Sequence, residues 1–190
     1  VISNDDPAGL GRIQVAFAWQ QESGANTPWI RMTNPHSGGN KGFYFVPEVG
    51  EEVLIAFEGG NAEKPFVLGA MYNGSASSGY AAQENKIKAI HTRSGHIIKF
   101  TEDESIQITD KSGNEILFDT TSKNITITAP ETVTINAKNI VMNADESIVS
   151  SAGKNITDTA GKDIVQSAAG DIMEMSDNRT EIVDQDYTRK

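Results

Sequence analysis

The sequence predicts an all-β chain: a small closed barrel in the first third, then a long repetitive rod of eight-residue units. Three observations carry this expectation. Residues 9–72 alternate apolar and polar positions in short runs broken by Gly and Pro, the mark of half-buried strands and tight turns. No aromatic stands between Phe118 and Tyr187, so the rest of the chain is stabilised by something other than an ordinary globular core. Isoleucine recurs at positions 140, 148, 156, 164 and 172, a strict period that marks an internal repeat.

In chain order, Ile13, Val15, Phe17 and Trp19 alternate with polar or small residues, giving a first strand. Residues 24–28 form a loop before the short strand Trp29-Ile30-Arg31-Met32. Residues 34–42 carry one Pro and three Gly and are irregular. Phe43-Tyr44-Phe45-Val46 leads through the turn at Pro47-Glu48-Val49-Gly50 into residues 52–58, where Val53, Ile55 and Phe57 share a face. A turn at Gly59-Gly60-Asn61 precedes Pro65-Phe66-Val67-Leu68-Gly69. About five short strands in this length suggest a closed barrel, which leaves no edge exposed. Residues 73–86 are rich in Gly, Ser and Ala and read as a connector, with residues 73–100 as linker and transition. Residues 91–98 suggest a hairpin turning at Ser94-Gly95.

The expected rod occupies residues 101–190, and its repeat divides into octads from residue 123 onward. Side chains alternate faces along a strand, so only an even repeat keeps the same residues inside on every turn. One octad is a strand plus a corner and forms one face of a prism. A slender tail buries too little apolar surface alone, which favours three intertwined chains over one chain coiling by itself. The expected inner residues are Ile125, Ile127, Val133, Ile135, Ile140, Ile148, Ile156, Ile164 and Ile172. Val133 and Ile135 are out of phase with the later column, which implies a slip near Ala137-Lys138-Asn139. Gly153, Gly161 and Gly170 fall near the corners, where positive φ is expected of glycine.

Composition excludes several function classes. Asp and Glu outnumber Lys and Arg by 26 to 16, a net charge of −10, which disfavours nucleic acid and anionic membrane surfaces. There is no cysteine, hence no disulfide, thiolate nucleophile or cysteine-based zinc site. No apolar run reaches the length of a membrane helix. The first residues lack the pattern of a signal peptide, and the chain opens as if inside a longer protein.

Candidate chemistry is sparse. His91 and His96 flank a turn and could hold a metal, although they read more simply as surface residues, like His36. The acid runs Glu102-Asp103-Glu104 and Glu51-Glu52 lack a cleft to fix their separation. Serines occur without a nucleophile elbow, and no phosphate-binding glycine loop follows a strand. We expect no catalytic residue, no metal and no cofactor. Trp19, Trp29, Phe43 and Tyr44 are candidates for stacking sugars or bases, but barrel packing and chain–chain contacts are the plainer use.

The run Leu10 to Trp19 resembles the opening of the OB-fold in VgrG-type tip proteins of type VI secretion. Trp29-Ile30-Arg31, the stretch from Gly42 to Val53, and Pro65 to Gly69 with Tyr72-Asn73 match further signatures in order. Gly11, Arg12, Trp19, Trp29, Pro47, Gly50 and Gly69 are the motif positions. Contractile phage baseplate spikes share the plan. The resemblance implies an N-terminal OB-fold over residues 1–72, followed by a C-terminal intertwined triple-stranded β-helix in a homotrimeric needle. It implies a structural, membrane-piercing role at the tip of a contractile injection system, delivering effectors or a tip cap. The implied partners are two more copies of the chain, a tube or baseplate hub on the N-terminal side, and a tip cap or effector at the C-terminal end. The implied life cycle is assembly in the bacterial cytoplasm and ejection into the extracellular space or a target cell. The family's hub domain and any lysozyme-like insertion are not in this sequence, and the tail at Asp184 to Lys190 has no histidine-rich tip. The alternative reading is a β-helical polysaccharide-binding adhesin or depolymerase.

Overall fold

The computed structural model describes residues 1–81 and 83–182, so the tail residues 184–190 lie outside the described part. Among the described residues all regular structure is β-strand or short 3-10 helix. The chain divides into two compact units, Val1–Ile135 and Asn136–Lys190.

The first unit begins with a barrel assembled from short bridges rather than long ladders. Ser3 pairs with Gln14, Ile13 with Ile30, and Met32 with Val67. Val67 lies on β4 (Pro65–Ala70), which pairs antiparallel with β3 (Val53–Phe57). The ring closes just before β3, where the Val1 amino group donates to the Glu51 carbonyl and Gly50 N–H donates to the Val1 carbonyl. The segments at residues 1–3, 13–15 and 30–32 and β4 thereby each have two neighbours, and the closure runs through Gly50 and Glu51 at the entry to β3. The core is Ile13, Val15, Ile30 and Val67, with Val1, Met32, Val46, Val53 and Ile55 packed against it. Buried Thr27 extends the pairing beyond Ile30: its hydroxyl accepts from Val15 N–H at 3.0 Å, and its own N–H donates to the Val15 carbonyl at 2.8 Å.

Two expectations in the barrel need correction. Trp19 does not continue the first strand, because a 3-10 helix, Ala18–Ser23, starts beyond Phe17 and ends on Gly24. Phe43, Tyr44 and Phe45 form no strand; they are exposed and follow the small hairpin of β1 (Ser37–Gly38) and β2 (Lys41–Gly42).

Beyond the barrel, Asn73 caps a turn by accepting from the N–H groups of Ser75 and Ala76. A five-stranded antiparallel meander follows: β5 (Lys88–His91), β6 (Ile97–Phe100), β7 (Ile106–Thr109), β8 (Glu115–Asp119) and β9 (Asn124–Thr128). This sheet runs straight across residue 100, where the sequence reading placed the start of the rod. Residues 101–128 are therefore meander strands and turns, not octads. The physical cause lies in the turns. Strands start at 88, 97, 106, 115 and 124, a spacing of nine, because β5, β6 and β7 are four residues long with five-residue reversals, and β8 is five residues long with a four-residue reversal. Thr92 to His96 and Asp110 to Asn114 make the same turn, with Thr92 N–H donating to the His96 carbonyl and Asp110 N–H to the Asn114 carbonyl.

Beyond Thr128, among the described residues, no strand is formed. Instead the chain bends at 130–131, 138, 145–146, 153–154, 161–162 and 169–170, and again at 177. The bends recur every seven or eight residues with straight segments between them. Gly153, Gly161 and Gly170 sit at these corners, but none has a positive φ, so the corners form at negative φ, where any residue is allowed, and do not need glycine's freedom.

Candidate functional site

The barrel motif residues are structural fasteners. Asp6, whose side chain is only 2 % exposed, takes a two-pronged ion pair from Arg12 at 2.8 Å on each oxygen. It also accepts from the N–H groups of Ala8, Leu10 and Arg12. One carboxylate thereby pins residues 6–12 at the entry to the first strand, and the Arg12 guanidinium holds Asp6 well below the usual carboxylate range. Gly11 has φ +67, and a Cβ there would stand 3.0 Å from the Tyr44 ring, so both backbone and space demand glycine. Buried Pro47 offers its carbonyl to Asn4 Nδ2 at 3.0 Å. Gly50 closes the ring as described, and half-buried Trp29 leads into core residue Ile30. Gly69 adjoins a bulge: Leu54 pairs with Gly69 but Ile55 with Val67, leaving Leu68 as the extra, exposed residue. Trp19 is exposed and stacks on Phe17 with ring centres 4.5 Å apart.

The meander carries its apolar face outward. Ile90, Ile98, Ile108, Ile116 and Ile127 stand directly opposite one another across all five strands. One pleat away, Phe100, Ile106, Phe118 and Ile125 make a second row, which begins at Lys88. Ile108, Ile116, Phe118 and Phe100 are each about two-fifths exposed, and Ile125 and Ile127 about two-thirds. The opposite face is mixed, with Lys99, Gln107, Thr109, Glu115 and Thr126 beside Ala89, Ile97 and Leu117, and it is half-buried on β6, β7 and β8. A groove of about 600 Å³ lies along the isoleucine row, with Phe45 and Val133 also on its walls.

The second unit shows a regular apolar column. Ile140, Ile148, Ile156, Ile164 and Ile172 are all 56–59 % exposed, whereas the next residues, Val141, Val149, Val165 and Met173, are 77–85 % exposed. The isoleucine positions are thus the more sheltered ones in each octad. Each of these isoleucines stands two residues past a bend, and so does Val133. The sequence slip near residue 138 is therefore one unit of seven residues between bends. Ile135 is exposed like Met142, which holds the matching place in the next unit.

Comparison with known proteins matches residues 1–72 to the type VI secretion system/phage-baseplate injector OB domain. Over 121 residues, 60 % of its length, the chain is 31 % identical to the type VI secretion system spike protein VgrG1b of Pseudomonas aeruginosa. Over 84 residues it is 30 % identical to the spike protein VgrG3 of Vibrio cholerae. Residues 1–72 thus carry the injector OB domain, and the chain is similar to VgrG-type spike proteins. The matched stretches make up 16 % of VgrG1b and 8 % of VgrG3, so the chain spans less than a fifth of these relatives. The motif positions Gly11, Arg12, Trp19, Trp29, Pro47, Gly50 and Gly69 all fall within the matched residues 1–72.

The remaining candidates have local partners. His91 Nδ1 is 3.0 Å from the Tyr80 hydroxyl, with the two rings edge to face. His96 lies in the turn, its N–H donating to Thr92 Oγ1. Glu51 accepts from Glu48 N–H and Glu52 from Asn73 Nδ2, so the paired acids serve two separate turns. Asp103 accepts from the Thr101 hydroxyl and from Ser105 N–H, which lowers its pKa. Among the described residues no group of three or more His, Asp or Glu is placed to hold a metal ion. No helix among them is long and apolar enough to cross a membrane.

The sequence reading missed Asp6, the meander and its outward apolar face. The signal for the meander was the pair of matching turns, Thr92-Arg93-Ser94-Gly95 and Asp110-Lys111-Ser112-Gly113, eighteen residues apart.

Proposed function

We propose that this chain is the collar and needle of a contractile injection spike, and that its work is mechanical. In this reading three copies associate. Their OB domains (residues 1–72) form a collar, and the octads from about residue 130 wind together as a triple-stranded β-helix that punctures a target envelope. The observation that carries the reading is the evenly half-covered isoleucine column between bends of eight-residue spacing. A strand needs a neighbour about 4.8 Å away. In a three-chain prism the neighbours of each octad come from the other two chains, which is why one chain's octads are straight yet unpaired with each other. With every layer hydrogen-bonded to the next, such a prism is stiff and concentrates sheath force on a small area. The hub on the N-terminal side and a cap or effector at the C-terminal end would be its further partners, with assembly in the cytoplasm before ejection. No bond is made or broken, and no cofactor is required.

The test is to graft these residues in place of the matching segment of a VgrG-type spike and measure contraction-dependent delivery into neighbouring cells. The graft is expected to restore delivery, and the same graft with Ile148→Asp and Ile156→Asp to abolish it. Undiminished delivery by the substituted graft would overturn the proposal.

A further inference from the structure

Each octad offers two large positions on its isoleucine face, and the sequence fills only one of them uniformly. In the three-chain reading every straight segment between bends is a strand, so residues two apart share a face. The isoleucine column therefore has a companion two residues on: Ile135, Met142, Ser150, Asp158, Gln166 and Glu174. Exposure in the single chain follows this alternation. Ile140, Val141 and Met142 are 57, 77 and 69 % exposed, and Met173 and Met175, on the other face, are 85 and 95 % exposed.

The companion column changes character once. Its first two members are apolar, and from Ser150 to Glu174 every member is polar or charged, while the first column stays isoleucine. The next position on the same face is Ala144, Ala152, Ala160 and Ala168, too small to replace the lost apolar bulk. A layer built from Ile140 and Met142 of three chains fills a narrow axis with apolar groups. A layer built from Ile156 and Asp158 brings three carboxylates around the same axis. Burying them dry costs both desolvation and mutual repulsion. The cations closest in sequence do not relieve this: Lys154 and Lys162 stand at bends, and Lys162 pairs with its neighbour Asp163 at 3.7 Å. Polar walls with space between them hold water instead.

We propose that the interior of the needle changes from dry to wet between Met142 and Ser150, so that the layers beyond this point open more readily than those before it. The proposal rests on the three-chain reading above and adds an asymmetry along the axis: a closely packed section followed by a hydrated one that separates first. Polar residues inside the apolar seam of a coiled coil lower stability for the same reason.

Hydrogen exchange of the assembled full chain, read peptide by peptide in a mass spectrometer, tests this, because amides in packed layers exchange only through opening. Amides of residues 140–149 are expected to exchange at least about tenfold more slowly than those of residues 156–174. Simple fraying of the last octads would give a similar gradient, and the pair Asp158→Ile with Gln166→Ile separates the two causes. These substitutions change only the companion column. They are expected to slow exchange over residues 156–168 by at least about tenfold and to raise the melting temperature of the trimer. If that variant does not assemble, Asp158→Asn, which removes the charge and keeps the shape, replaces it and is judged by the same slowing. Equal protection of the two sections, or a gradient that the substitutions leave unchanged, overturns the proposal. A parent chain that is monomeric by light scattering overturns the three-chain reading itself, which separates the two failures.

Discussion

Asp6 and Arg12 show how one side-chain pair can hold a segment that makes few backbone ladders. The barrel's first strand forms through single bridges, so the five contacts on the Asp6 carboxylate fix its entry angle. The folded Asp6 carboxyl lies well below its unfolded value, first because of Arg12 and then because of three backbone N–H groups. A depressed carboxylate contributes stability that is complete above the unfolded value of about 3.9 and is lost as pH falls through the folded value. Asp6→Asn is therefore expected to lower the thermal midpoint by a constant amount from pH 7 to about pH 5, and the gap to close at lower pH. Melts followed by tryptophan fluorescence across that range check it; a gap independent of pH would contradict the account. Arg12 was legible as a motif position, but its partner was not, since an Asp six residues earlier across a Pro–Gly loop carries no periodic signal.

At the scale of elements, the two kinds of repeat reverse the chain by different means. Two of the meander turns place a glycine, Gly95 or Gly113, at positive φ, and the second of them adds Asx chemistry. Gly113 has φ +96, and Asp110 accepts from the N–H groups of Ser112 and Asn114, which with their side chains hold its pKa well down. The octad corners use neither device, and a Cβ at Gly161 would meet nothing within 4 Å. Gly113→Ala is expected to destabilise the first unit by about 1–2 kcal/mol, the cost of a left-handed residue with a side chain. Gly161→Ala is expected to stay within about 0.5 kcal/mol of the parent. Chemical denaturation of the two variants separates them, and equal losses would contradict the structure. Alternation made the barrel strands at Ile13, Val15, Val53 and Ile55 legible, and the octad spacing is now visible as bends. Beyond the expected hairpin at residues 91–98 the meander was not legible, because antiparallel reversal spaces the facing Ile90, Ile98, Ile108, Ile116 and Ile127 unevenly although the strands start nine residues apart. Trp19 was misplaced because the alternation of apolar residues runs on past the point where the backbone leaves the strand.

For the whole molecule, the common feature of both units is apolar surface that a single chain does not cover. The meander face and the isoleucine column together account for most of the exposed large apolar residues beyond the barrel among the described residues. Association of identical chains covers both surfaces at once and makes stability depend on concentration. Dilution should therefore lower the melting temperature, whereas a self-sufficient monomer would melt independently of concentration. The most direct test of the three-chain account is the solution mass by light scattering at micromolar concentration. The account predicts three times the 20.5 kDa of one chain. A species of 20.5 kDa with its octads folded would contradict it.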